Sequence, residues 1–328
     1  MMKTTLRAFA VGGTVLLGGL APAQAAPLTA PELLQQFNLI TTGDVTGSSG
    51  FHVDGRALVG GNYDVGGGSV IYMNGKGAAS DHAAFIVAGS VAGLVHVNNG
   101  GDAAIGGGVN RLNMNGGGSK GAFTADSAPA DYGKILSGYA AALAAMADTG
   151  SATRTGSPYD PTNTYAIAAT PGGVAVMSLT EADFRRDRDF NLNLASGIDS
   201  VVINITATDK DKIFNLGSTF KAQQGNEVSG KIVWNFIGFD EVIFDAQFRG
   251  GAILADGATI RSNAGNVAGS VFASAYDSRS ELHYIKPSLP SVAPPVEPPA
   301  AVPLPAGAPL LLMGLGALAL LRRRRKAA

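Results

Sequence analysis

Apolar runs of strand length, closed by glycine, asparagine or serine, recur along this chain at a spacing that constrains its fold more than any other feature. Arg56-Ala57-Leu58-Val59-Gly60-Gly61-Asn62, Ala84-Phe85-Ile86-Val87-Ala88-Gly89-Ser90 and Ala103-Ala104-Ile105-Gly106-Gly107-Gly108 are the first three. The second and third lie 18 residues apart, counted from Ala88 to Gly106. The same interval returns near the end of the body, between Ile253 in Gly251-Ala252-Ile253-Leu254-Ala255 and Val271 in Gly269-Ser270-Val271-Phe272-Ala273. Self-similarity at about 18 to 28 residues predicts a β-solenoid, in which each coil packs on the next. Small residues beside β-branched ones suit a narrow stacked core. The 45 glycines in 328 residues, roughly double the ~7% average, sit between the runs as corners rather than in a disordered tract.

Between the two repeating halves the texture changes. Ile135, Leu136, Tyr139, Leu143 and Met146 recur at helical spacing within Asp126 to Gly150. This predicts one long helix, its apolar stripe laid on the flank of the solenoid. A short helix opens the body, with Thr29 and Glu32 at capping-box spacing and Pro31 in the first turn. Further strands are expected at Val174–Met177, Ser200–Thr206, Lys231–Phe236 and Glu241–Phe244. Because the period returns after the helix, residues 26–286 read as one mainly β domain built from both halves.

The two ends read differently from the body. Lys3 and Arg7 precede an apolar run, Ala8 to Leu20, and Ala23-Gln24-Ala25 supplies the small residues that signal peptidase accepts; residues 1–25 are the expected signal peptide. The chain has no cysteine, so an exported body must be held by packing and hydrogen bonds, and thiolate metal sites and cysteine nucleophiles are excluded. Residues 287–305 are proline-rich, an extended spacer. Ala306 to Leu321 carries no charge; as a helix it would span ~24 Å, slightly short of a ~30 Å hydrocarbon core. Arg322, Arg323, Arg324, Arg325 and Lys326 then form a basic stop that stays cytoplasmic.

Val302-Pro303-Leu304-Pro305-Ala306, the short apolar helix and the basic end, in that order, resemble the VPLPA-type relatives of PEP-CTERM sorting signals in Gram-negative bacteria. The resemblance covers residues 302–328. It implies transient retention in the inner membrane and processing near the motif by an exosortase-class enzyme. The body resembles the choice-of-anchor A family from about Phe37 to Lys286. The matching residues are Asp54-Gly55-Arg56-Ala57-Leu58-Val59-Gly60-Gly61-Asn62, Val202-Ile203-Asn204-Ile205, Ile232-Val233-Trp234-Asn235-Phe236, Ile253-Leu254-Ala255-Asp256-Gly257-Ala258, and Gly269-Ser270-Val271 through Glu281-Leu282-His283. Asp256 stands where many members have proline. The resemblance implies an ice-binding-protein-like or adhesin-like β-solenoid with a helix along its side, working at the cell surface or in the extracellular matrix without enzymatic activity.

Candidate chemistry in the body is sparse. His52, His82, His96 and His283 show no H-x-x-x-H or H-E-x-x-H spacing, so no metal or cofactor is expected; His283 beside Glu281 reads as a polar cap on the last coil. Arg185-Arg186-Asp187-Arg188-Asp189 reads as a solvated, self-neutralising loop. Gly66–Gly68, Gly106–Gly108 and Gly116–Gly118 lack the Lys-Ser/Thr of a phosphate loop and read as corners needing positive φ; Asp54-Gly55 and Asp256-Gly257 read as turns. Asp209-Lys210-Asp211 lacks the glycine and glutamate of an EF-hand, and there is no G-x-S-x-G. A net charge of −1 gives no large attraction to nucleic acid. The leading expectation is a surface or matrix protein that binds exopolysaccharide, cell-surface glycan or a solid surface. A polysaccharide lyase or hydrolase on a β-helix is the alternative. Ice binding is the third, although Thr206-Ala207-Thr208 is the only T-x-T in the strand-rich second half.

Overall fold

The computed structural model describes residues 27–155, 162–184, 189–216 and 225–292. The signal segment with Ala23 and Ala25, the motif Val302 to Ala306, the apolar stretch 306–321 and the basic stop Arg322 to Lys326 lie outside these residues, as does Arg185 to Arg188. Among the described residues no helix is long and apolar enough to cross a membrane.

The chain enters through α1 (Ala30–Gln36). Glu32 Oε2 accepts the Thr29 N–H at 2.8 Å, the Thr29 hydroxyl accepts the Glu32 N–H at 3.4 Å, and proline in the first turn forfeits no helical bond. Leu33 and Leu34 are buried, and the helix hands directly to the strand Phe37–Thr41. From there each coil contributes up to three short strands, one to each of three faces, and all solenoid pairings are parallel. Eighteen strands form one continuous 18-stranded sheet, and three more form a separate 3-stranded one.

The register is strict. On one face, Leu39, Ala57, Phe85, Ala103 and Lys120 follow one another across five stacked strands, pointing along one column. The column continues on the other side of Leu39 through Val271, Ile253, Trp234, Ile203 and Met177. All but Lys120 are buried. The core is mostly aliphatic in the first half, with Val45, Val59, Val87, Val95 and Val97 around the Tyr63–Phe85 pair, whose rings meet edge-on at 5.1 Å. It widens into aromatics in the second, where Phe244 stacks on Phe248 at 4.1 Å and Phe214 lies 4.9 Å from Phe236. The 3-stranded sheet (Ala152–Thr155, Thr162–Ile167, Asp189–Leu194) adds Ile167, Phe190 and Leu192 to this core, with Phe190 5.5 Å from Trp234.

Spatial order is not chain order. The last coil stacks on the first on all three faces: Ile40 pairs with Phe272, Val45 with Tyr276 and Val53 with Leu282. The chain thus begins in the middle of the stack and builds outward to Lys120–Ala122. It then returns along the flank and builds inward until its end closes on its beginning. The return is α2 (Tyr132–Ala144), which buries Leu136, Tyr139, Ala140 and Leu143 against α1 and against Ile40, Leu58, Leu254 and Phe272 of the underlying strands. This helix is shorter than the expected Asp126 to Gly150. Asp131 sits at φ 52°, a left-handed entry that stops helix extending back toward Pro129. At the other end Thr149 is drawn into pairing with Val176, donating its N–H at 3.1 Å, so the chain leaves the helix before Gly150. Two buried amides tie the helix to the sheet: Asn204 Nδ2 donates to Leu143 O at 2.8 Å, and Asn235 Nδ2 to Ala140 O at 3.0 Å. Asp256 adds a third tie by accepting from the Ser137 hydroxyl at 2.8 Å.

The fold continues past Lys286. Ser288 donates its N–H to Gly230 O at 2.8 Å, at the last residue of the short helix α3 (Gly225–Gly230), and Tyr139 donates its hydroxyl to Pro290 O at 3.0 Å. Leu289 and Val292 pack on the helix-face cluster.

The closure between last and first coil is held by Asn38, which is fully buried. Its Nδ2 donates to Gly269 O at 2.7 Å and to His283 O at 3.3 Å, and its Oδ1 accepts the Gly55 N–H at 3.1 Å. Asn38→Ala strands these buried groups, each at ~1–3 kcal/mol. We expect a lower unfolding midpoint and hydrogen exchange that rises first in residues 37–41 and 269–273; exchange rising evenly through all coils would contradict this.

Candidate functional site

Of the three faces, one is covered by the helices. A second, the seam face, carries His52, His96 and His283. The third, here called the open face, is built from strands Val45–Gly47, Tyr63–Val65, 91–92 and 109–110 in one half, and 275–278, 259–262, Glu241–Phe244 and Ile213–Leu216 in the other.

At the corner entering the open face, one side chain per coil holds the backbone of the next. Asp44 Oδ1 accepts the Asn62 N–H at 2.6 Å, Asn62 Oδ1 accepts the Ser90 N–H at 3.0 Å, and Ser90 Oγ accepts the Gly108 N–H at 3.1 Å. The ladder fits only because glycine precedes each rung. A Cβ on Gly89 would lie 2.5 Å from Asn62 Oδ1, and on Gly61 or Gly107 it would collide with Asp44 Oδ1 or Ser90 Oγ. Gly106 and Gly107 therefore serve close approach, and none of Gly106–Gly108 has the positive φ expected from sequence; Gly68, Gly116 and Gly117 do have positive φ. Asp54-Gly55 is not a turn either: it lies inside the strand His52–Val59, where a Gly55 Cβ would come within 2.9 Å of Asn38 Cβ.

Beside the ladder the outward row reads Asn110, Ala92, Asp64 and Thr46 in the first half, then Asp277, Arg261, Ile243 and Asn215 in the second. The halves differ electrostatically. Arg261 lies 2.7 Å from Glu241 and 3.7 Å from Asp277, so the second half sets a cation between two carboxylates across three strands. In the first half, Asp44, Asn62, Ser90, Thr46, Asp64 and Asn110 line an open depression of about 460 Å³ that crosses four coils. Among the described residues, no hydrogen bond or ion pair engages the side chains of Thr46, Asp64 and Asn110.

The seam face does not gather the histidines. His82 lies against the Phe37 ring, and His96 Nδ1 meets Asn113 Nδ2 at 3.3 Å. His52 Nδ1 instead meets Glu281 at 3.2 Å; His283 reaches Glu281 at 3.2 Å and Asp54 at 3.3 Å, and Asn74 Nδ2 donates to Asp54 at 2.6 Å. His283 is thus more than a cap on the last coil, because its partners bridge last coil to first. Among the described residues no group of three His, Cys, Asp or Glu side chains could hold a metal ion. The residues Thr208 and Asp209 donate backbone N–H groups to buried Glu181, which fixes the Asp209-Lys210-Asp211 loop structurally. Asp189 opens a strand of the 3-stranded sheet. A second depression, of about 510 Å³, includes Lys76, Lys231 and Lys286, with Lys231 Nζ already donating to Ile198 O at 2.8 Å.

Sequence reading found the runs but not the ladder or the Thr46, Asp64 and Asn110 row. The signal was present: Gly43-Asp44-Val45, Gly61-Asn62-Tyr63, Gly89-Ser90-Val91 and Gly107-Gly108-Val109 repeat one pattern, a glycine, the rung, then an inward apolar residue.

Fold and faces together define a helix-flanked parallel β-solenoid whose coils stack out of chain order. The chain belongs to the ice-binding-like adhesive domain family, whose profile matches residues 30–284. Among solved structures it is similar to the DUF3494 domain of Shewanella frigidimarina ice-binding protein 1, at 13% identity over 80% of this chain and 99% of that one, with a TM-score of 0.34. It is also similar to an ice-binding protein from an Antarctic Flavobacteriaceae bacterium, at 12% identity over 78% and 81% of the two chains, TM-score 0.27. Neither superposition is close enough to transfer a residue or an activity. No curated protein matches the chain.

Gly89→Ala should push Asn62 off the Ser90 N–H and cost ~1–3 kcal/mol, as overpacking does. Chemical unfolding and faster exchange at Ser90 would register it; an unchanged midpoint would sink the ladder argument. Asp102 gives a pH test at the outer end. Its carboxylate accepts the Ser119 N–H at 2.7 Å and hydroxyl at 2.8 Å, and these bonds hold its pKa below the usual aspartate range. A lowered folded pKa means that the contribution is complete above the unfolded value of ~3.9 and is lost as pH falls through the folded one. Protection of the Ser119 amide should therefore hold from neutral pH to mildly acid conditions and collapse only below that range. Loss already near neutrality would contradict the assignment.

Proposed function

We propose that this protein is an adhesive domain displayed outside the cell, which holds polysaccharide or a solid surface against its open face. The observation that carries this reading is family membership over residues 30–284 together with a broad polar face that the helices leave uncovered. Adhesion needs many modest contacts over an area rather than an enclosed pocket, and a stack of coils supplies them at a fixed interval.

The termini fit the same reading. Signal peptidase would release the chain after Ala25. The choice-of-anchor A resemblance and the Val302 to Ala306 motif fit delivery through the inner membrane, with exosortase-class processing near residues 302–306. Ice binding has the same family support, but the open-face row mixes Asp64, Asp277 and Arg261 with a single threonine, Thr46, where an ice-binding ladder calls for regular threonines. Lyase or hydrolase chemistry finds weaker support, since Asp189 stands in a strand and the family is an adhesive one.

Cells producing the full-length chain should attach to exopolysaccharide-coated or abiotic surfaces better than a deletion strain. The mature protein should begin near Ala26 and lack the apolar tail by intact mass. Equal attachment by the two strains, combined with thermal hysteresis from the purified protein, would replace adhesion with ice binding.

A further inference from the structure

We infer that the depression across the first four coils of the open face is a subsite for a neutral glycan strand, lying along the solenoid axis with roughly one sugar ring per coil. This deepens the adhesive reading and rests on it.

Four observations carry the inference. First, the lining repeats once per coil. Asp44 and Thr46 belong to the first coil, Asn62 and Asp64 to the second, Ser90 to the third and Asn110 to the fourth. Neighbouring strands lie ~4.8 Å apart, so a polymer laid across them meets a similar group at each step. Second, the donor and acceptor set suits hydroxyls. Carboxylates accept from vicinal diols, while threonine, serine and asparagine both donate and accept, as sugar hydroxyls do. Third, the site is partly preorganised. Asp44, Asn62 and Ser90 are pinned by the corner ladder, whereas Thr46, Asp64 and Asn110 present side chains that no described residue engages. Groups already fixed lose little further freedom on binding.

Fourth, the charge selects the ligand. The lining carries Asp44 and Asp64 and no cation, which disfavours uronate-rich chains and nucleic acid alike. Peptides would need pockets for apolar side chains, and the inward residues Val45, Tyr63 and Val91 are buried beneath the surface. In the second half of the same face the corresponding position beside the seam is occupied instead by Arg261, engaged by Glu241 and Asp277.

The test uses the full-length chain, purified in a detergent without a sugar headgroup. It is titrated with neutral hexose oligosaccharides of increasing length and with an oligogalacturonate. Affinity should rise with length until the strand spans the four coils, and the neutral series should be preferred. Asp64→Ala, Thr46→Ala and Asn110→Ala should each weaken binding about threefold to tenfold with unchanged unfolding midpoints. Asp64→Arg should weaken it more, by filling the groove. Asn215→Ala, on the same face beyond the seam, should bind as the parent does. Neutral binding that survives Asp64→Arg, or a preference for the oligogalacturonate, overturns the inference and leaves adhesion standing. Protein that adheres to abiotic surfaces but binds no oligosaccharide also overturns the inference alone. Protein that neither adheres nor binds overturns both.

Discussion

A side chain can hold the backbone of the next coil only where that coil leaves room for it. At the corner of the open face, glycine leaves the room and Asp44, Asn62 and Ser90 fill it, each accepting an N–H from the coil above. The rest of the architecture depends on this. A solenoid has little local structure to enforce its register, and a slip of one residue would turn every inward valine outward. The ladder fixes the register from outside while the column from Leu39 to Lys120 in one direction and to Met177 in the other fixes it from inside. The groove is a by-product of the same geometry, since the rung and the open row next to it recur with the coil.

The second dependence is closure. Because the chain begins in mid-stack, its first coil has no partner on its inner side until the last coil arrives. The buried amide of Asn38 and the chain of contacts through His52, Glu281, His283 and Asp54 all lie at that junction. At this junction polar groups join two distant parts of the sequence.

Much of this was legible in the sequence, for identifiable reasons. The runs around Leu58, Ile86 and Ala104 become strands because β-branched and small residues alternate with corner glycines, and the period survives because stacking demands it. The helix was legible from Leu136, Tyr139 and Leu143, but its ends were not, since its start depends on a left-handed Asp131 and its exit on a tertiary bond from Thr149. The order of coils was not legible either. Nothing local distinguishes a last coil that meets its predecessor from one that also meets the first. The groove went unread because Asp44, Asn62, Ser90 and Gly108 differ in side chain while sharing one role. Identity was the wrong signal there; position after glycine was the right one.

The route of the chain's end has a mechanical consequence. Residues 287–292 run over α2, with Tyr139 bound to Pro290 and Val292 packed in the helix-face cluster. Whatever follows residue 292 therefore departs from the helix-covered flank. A body held by that end is slung from its helix-covered side. Its long axis can lie flat along the holding surface, with the helices turned inward and the four-coil groove turned toward the surroundings.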